Sequence, residues 1–280
     1  MKRLWVVGSV VSMMFGMAGA APVCPSERLP VDASVQPMQS HWKGKKVAFL
    51  GDSITDAHHI GTAKNYWQYL PEMLGIESHI YGINGQQWTG VLDQAKRLKA
   101  EMGDSVDAIF IFAGTNDYNG GVPLGEWWTI ENQEVNSHGR QMTKPRRIVQ
   151  KDMGNFRGRI NTVMEYLKEN FPKQQIILMT PIHRAFATFG GNNIQPDESF
   201  PNDIGLYVDA YVNVIKEAAN VWSVPVIDLH SLSGLNPLIP AHSPFFNNAK
   251  TDLLHPNAEG HKRMARAMMY QMLALPSDFK

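Results

Sequence analysis

The stretch KKVAFLGDSITDAHHI, residues 45–60, decides how the chain is read. Five mostly apolar residues, Lys46 to Leu50, run into Gly51-Asp52-Ser53, and polarity rises at once. A short apolar run that stops on Gly and small polar residues reads as a buried strand ending at a loop. Ser53 then stands where the chain leaves the sheet. Taken alone, it is equally a nucleophile or the N-cap of a following helix, a common role for serine.

The same rhythm continues outward. Further apolar, β-rich runs occur at 78–82, 107–113, 175–180 and 224–229. Helical patterns fill the gaps at 64–75, 88–102, 147–170, 203–221 and 257–274, the last with Met264, Ala267, Met268 and Met272 at helical spacing. Strands alternating with helices imply right-handed crossovers and a parallel sheet covered on both faces. The runs are continuously apolar rather than alternating, as strands buried on both sides require. The expected fold class is therefore α/β, a three-layer α/β/α sandwich. Functional groups in such sheets gather beyond the carboxyl ends of the strands.

Composition sets the outer bounds. The chain has 280 residues, 44% hydrophobic and 19% charged, ordinary globular material. Lys and Arg (26) balance Asp and Glu (26), so no nucleic-acid partner is indicated. Lys2 and Arg3, an apolar stretch from Leu4 to Met17 and Ala18-Gly19-Ala20 read as a secretory signal peptide over residues 1–20, too short for an integral membrane span. This predicts export to a bacterial periplasm, the cell surface or the medium. Residues 21–44, rich in Pro and Ser, form an expected extended lead-in to one domain over 45–280. Cys24 is the single cysteine, so no internal disulfide forms, and Val23 does not suit a lipidation site at Cys24.

Four polar segments follow the predicted strands: Gly51-Asp52-Ser53-Ile54-Thr55, Gly82-Ile83-Asn84-Gly85-Gln86, Gly114-Thr115-Asn116-Asp117 and, before the last helix, Asp252-Leu253-Leu254-His255-Pro256-Asn257. In order and spacing these four blocks resemble the SGNH (GDSL) hydrolases, over roughly residues 45–274. The resemblance implies a five-stranded parallel sheet of flavodoxin-like order. It also implies a nucleophile at Ser53 with Asp252 and His255 as its acid–base partners. The oxyanion hole falls on Ser53, Gly85 and Asn116. No metal or organic cofactor is required. The chemistry suits the residue types: imidazole accepts the serine proton, carboxylate orients the ring, and amides stabilise the tetrahedral oxyanion.

Several other residues have simpler readings. Asp52 and Asp117 are expected to hold loops through backbone N–H groups. Asp56, His58 and His59 read as a surface loop, without metal-ligand spacing, and His261 as an exposed position on the last helix. Two long segments with little periodicity, 118–146 and 182–202, are expected to be loops on the catalytic edge. They carry Tyr118, Trp127, Trp128 and Arg184, candidate substrate-binding residues, together with the aromatics Phe186 and Phe189 and the polar residues Asn119, Arg140, Asn192 and Asn193. Aromatic faces beside polar groups suit sugar rings, and the same aromatics equally suit loop cores. The leading expectation is a serine esterase acting on a small-molecule or glycan ester, with O-deacetylation of carbohydrate preferred. The alternatives are a lipid-directed esterase, lysophospholipase or thioesterase, and a catalytically silent glycan-binding domain. Composition leaves the oligomeric state open.

Overall fold

The computed structural model describes residues 40–280, so the expected leader, Cys24 and most of the 21–44 lead-in lie outside the described residues. In chain order the first half holds β1 (Lys46–Gly51), α1 (Tyr66–Leu74), β2 (Glu77–Ile80), α2 (Trp88–Met102), β3 (Ala108–Phe112) and α3 (Thr115–Asn119). An antiparallel pair follows, β4 (Trp128–Ser137) and β5 (Arg140–Val149), then α4 (Phe156–Asn170) and β6 (Gln175–Met179). The remainder comprises β7 (Ala187–Thr188), β8 (Ile194–Gln195), α5 (Val208–Trp222), β9 (Val226–Ile227), α6 (Leu229–Leu232), β10 (Phe246–Asn248), β11 (Asp252–Pro256) and α7 (Ala258–Leu273).

The main sheet has the order β2-β1-β3-β6-β9 and is parallel throughout. This is the expected flavodoxin-like order. Because side chains alternate along a strand, each strand feeds two cores. Ala48, Leu50, Ile109, Ile111, Ile176 and Leu178 face one side. There they meet Trp88, Val91 and Leu98 of α2, Val163 and Leu167 of α4, and Tyr211 and Ile215 of α5. Val47, Phe49, Phe110, Phe112, Ile177 and Met179 face the other, against Tyr66 and Leu70 of α1 and Met264, Met268 and Met272 of α7. All five residues of β3 are buried, which is why the run carries no polar position.

Two expectations are corrected. Residues 147–149 belong to β5, not to a helix; α4 starts at Phe156, after Asn155 accepts the Gly158 N–H at 2.8 Å as its cap. The segment 118–146 is no irregular loop. Most of it forms the β4–β5 hairpin, closed by the two-residue turn His138-Gly139 with φ of 54° and 76°. Positive φ at both turn residues matches the right-handed strand twist. Most hairpin residues are exposed, so no apolar alternation marks it in the sequence. Asn161 anchors its base by donating to the carbonyls of Trp127 and Gln150 at 2.9 and 2.8 Å. The 182–202 segment carries the short strands β7 and β8, and β7 pairs with β11. Among the described residues no helix is long and apolar enough to cross a membrane.

Candidate active site

Strand β1 ends at Gly51, where an added Cβ would lie 2.2 Å from the Phe112 carbonyl oxygen; only glycine lets β1 and β3 approach this closely. The chain then makes a single turn, with Thr55 N–H and Asp56 N–H both donating to the Asp52 carbonyl at 3.0 Å. No helix follows Ser53, since α1 begins only at Tyr66, so the serine caps nothing. Asp52 Oδ1 accepts the Ile54 N–H at 3.1 Å and is buried. Burial pushes its carboxyl up to about 7.

Ser53 meets His255 across the fold, with Oγ 2.9 Å from Nε2. On the far side of the ring, Nδ1 lies 2.9 Å from Asp252 Oδ2 and 3.1 Å from Oδ1. The three-residue separation lets Asp252 Oδ1 also accept the backbone N–H of His255 at 3.0 Å. Asn247 donates to Asp252 Oδ2 at 2.9 Å. Burial raises the Asp252 carboxyl, yet His255 and Asn247 outweigh it and hold the group below the usual carboxylate range. Ser53, Asp252 and His255 are all nearly inaccessible. A proton on Nδ1, facing the carboxylate, leaves Nε2 free to accept the serine proton.

Gly85 and Asn116 lie beside this line of groups, in the same cavity of about 200 Å³. Their two loops clasp each other. Asn116 Nδ2 donates to the Gln86 carbonyl at 3.0 Å, and Gln87 Nε2 donates to the Asn116 carbonyl at 3.0 Å. Asp56, expected in a surface loop, is buried and fastens the Gly85 loop to the Ser53 turn. It accepts the Asn84 N–H at 2.6 Å and the His58 N–H at 2.7 Å. Asp117 Oδ2 accepts the Trp88 N–H at 3.1 Å at the start of α2, and Oδ1 pairs with Arg159 at 2.8 Å. Burial outweighs that pair and pushes the Asp117 carboxyl up to about 6.

The other cavity residues are Ile60, Asn84, Phe189, Asn193, Gln195 and Leu254. The Phe189 ring stands edge-on to His255, with centroids 5.3 Å apart. None of the four candidate substrate-binding residues lines this cavity. Tyr118 is buried and donates to the Phe200 carbonyl at 2.9 Å. The Trp127 indole donates to Glu217 at 2.9 Å on the side of α5, and Trp128 opens the hairpin. Arg184 is 1% exposed. Tyr118 and Trp127 belong to the core on the α2, α4 and α5 side of the sheet, and Trp128 packs against it. His261 also turns inward: it is fully buried, its Nδ1 accepts the Tyr66 N–H at 3.2 Å, and its ring stacks on that of Tyr66. Burial lowers its pKa to about 3.

Residues 49–263 match the GDSL-like Lipase/Acylhydrolase family, a span that holds all four polar blocks. The chain belongs to this family. It is a serine ester hydrolase of the GDSL type. No curated protein matches the sequence. Among solved structures, a protein from Lactobacillus plantarum is 26% identical with a TM-score of 0.65; the match covers 84% of this chain and 99% of that one. A possible lipase from Chitinophaga pinensis is 19% identical with a TM-score of 0.61, over 82% of this chain and 99% of that one, and shows the shared fold.

A GDSL hydrolase needs a hydroxyl, a base and anion-stabilising donors around one carbonyl, and the cavity assembles groups of each kind. Among the described residues no cluster of three or more His, Cys, Asp or Glu side chains has the arrangement of a metal site. Sequence reasoning missed the bracing role of Asp56 and gave Asn84 and Gln195 no role, whereas Phe189 and Asn193 stood among the aromatic and amide residues expected to shape the pocket. Asn84 is adjacent to Gly85 in one of the four blocks; Gln195 carries no local signal.

Proposed function

We propose that residues 45–280 form one catalytic domain of an exported esterase that removes acetyl or similarly short acyl groups from carbohydrate. Ser53 Oγ attacks the ester carbonyl as His255 Nε2 takes its proton, and Asp252 stabilises the resulting imidazolium. The backbone N–H groups of Ser53 and Gly85 and the Asn116 amide receive the oxyanion. His255 returns the proton to the departing alcohol, and water, deprotonated by His255, then releases the acyl group from Ser53.

One observation carries the substrate reading. The cavity around Ser53 is small, and four side-chain amides line it: Asn84, Asn116, Asn193 and Gln195. Amides donate and accept together, which matches the hydroxyls of a sugar. Ile60, Phe189 and Leu254 supply apolar contact for a ring face or a short acyl group. Export rests on the basic start, apolar stretch and small residues of positions 1–20.

The test compares wild type with Ser53→Ala on p-nitrophenyl acetate, p-nitrophenyl octanoate and acetylated oligosaccharides. Wild type should prefer the acetyl substrates, and Ser53→Ala should abolish turnover. Asn116→Ala should lower kcat by about 10²–10³-fold, the usual effect of removing one oxyanion donor. A preference for octanoate would overturn the carbohydrate reading. Inactivity of wild type and Ser53→Ala alike, with glycan bound by both, would establish a binding domain instead.

A further inference from the structure

Among the described residues Arg184 is the largest charged side chain that is buried. Its backbone N–H donates to Glu198 Oε2 at 2.9 Å. Its guanidinium, however, meets neutral partners among the described residues. Nη1 donates to Thr115 Oγ1 at 3.1 Å, Nη2 donates to Gln195 Oε1, and Nε is buried with no partner. The guanidinium carbon lies 5.4 Å from the centre of the Tyr118 ring. Gln195 in turn donates through Nε2 to Asn193 Oδ1 at 2.9 Å.

A buried cation without a directly bonded carboxylate is costly, and a hydrophobic side chain of similar size would serve a purely structural role better. The connections explain its presence. Thr115 immediately precedes Asn116, while Gln195 and Asn193 line the same cavity from a segment distant in the chain. The guanidinium is planar and rigid, so it fixes two acceptors at once in a way a lysine cannot.

We propose that Arg184 is a positioning residue that sets the Asn116 amide and the Asn193–Gln195 wall relative to each other. The inference rests on the proposed acyl-transfer role of Ser53 and Asn116. Arg184 touches no substrate and acts through Thr115 and Gln195. Its removal should therefore reduce the rate of the chemical step more than the binding of a small ester.

The experiment measures kcat and KM for p-nitrophenyl acetate, with thermal unfolding in parallel, on the full chain. The variants are Arg184→Met, Arg184→Lys, Thr115→Val, Asn116→Ala and the Arg184→Met/Asn116→Ala double variant. Arg184→Met should lower kcat on the order of 10²-fold, the effect of a small misplacement of a reacting group, with KM changed far less. Arg184→Lys should recover only part of that loss. The double variant should lie within about threefold of Asn116→Ala alone, because both changes remove the same contribution. Fully multiplicative losses, or an Arg184→Met kcat within about threefold of wild type, would reduce Arg184 to a scaffold and overturn the proposal. If Arg184→Met does not fold, Thr115→Val decides. It should lower kcat about tenfold while still unfolding cooperatively, the scale of one charge-assisted hydrogen bond, and an unchanged kcat would overturn the proposal. A wild type inactive on every acyl ester, or an active wild type insensitive to Ser53→Ala, would refute the Ser53 reading itself and the inference with it.

Discussion

Gly61 gives a quantitative test of the Ser53–His255 geometry. It has φ of +73°, and an added Cβ would lie 2.7 Å from His255 Cβ and 3.2 Å from Asn247 Cβ. Carbon atoms in good contact sit about 3.5–4.0 Å apart, so Gly61→Ala requires a displacement on the order of 1 Å. Either route of relief damages the site. Moving His255 lengthens the 2.9 Å contact with Ser53 beyond hydrogen-bond range, and moving Asn247 strips a donor from Asp252. A shift of about 1 Å at reacting groups lowers kcat on the order of 10²-fold. The left-handed backbone adds about 1–2 kcal/mol of destabilisation. Gly44 separates the two effects, because its φ is +74° and nothing lies within 4 Å of its added Cβ. Gly44→Ala should lose about 1–2 kcal/mol in urea unfolding and Gly61→Ala at least as much, but only Gly61→Ala should lose activity on p-nitrophenyl acetate. Wild-type kcat in Gly61→Ala, or an equal loss in Gly44→Ala, would refute the reasoning.

Two further predictions concern stability. His261 is buried with its pKa lowered to about 3, so between the ordinary histidine pKa and that value the unfolded chain binds a proton that the folded chain does not. Its stabilising share is complete above about pH 6.5 and is lost as pH falls, by about 2 kcal/mol at pH 5. Replacing it by asparagine, which keeps an acceptor for the Tyr66 N–H, should weaken the protein at neutral pH but flatten its acid dependence in urea unfolding; an unchanged slope would contradict the assignment. Asp52 works in the opposite sense, because its raised pKa makes the folded state retain a proton as pH climbs toward 7. Arg159→Met leaves the fully buried Asp117 without its 2.8 Å partner. The loss should be about 3–5 kcal/mol at pH 8 and smaller at pH 5, where a carboxyl already pushed up to about 6 takes a proton instead. Equal losses at both pH values would show that Asp117 does not need its charge balanced.

Much of the architecture was legible because burial leaves a local record. Strands covered on both faces must be apolar throughout, so the runs at 46–50 and 107–113 announce β1 and β3 without knowledge of their partners. The small polar residues that end them mark the functional rim. The β4–β5 hairpin left no such record because its faces are mostly wet. The inward turn of His261 was equally hidden, since a histidine reads as exposed until Tyr66 is known to lie against it.

The sequence by itself determined the layered α/β class, because strand burial is a property of short segments, and its four polar blocks carried the family resemblance from which Ser53, Asp252, His255, Gly85 and Asn116 are proposed as the reacting groups. Tertiary structure alone decided that Asn193, Gln195 and Phe189 wall the cavity, that Tyr118, Trp127, Trp128 and Arg184 do not, and that Gly61 and Asn247 brace His255 and Asp252. These are contacts between segments far apart in the chain. Their partners are chosen by how loops cross the sheet edge, which no local pattern encodes.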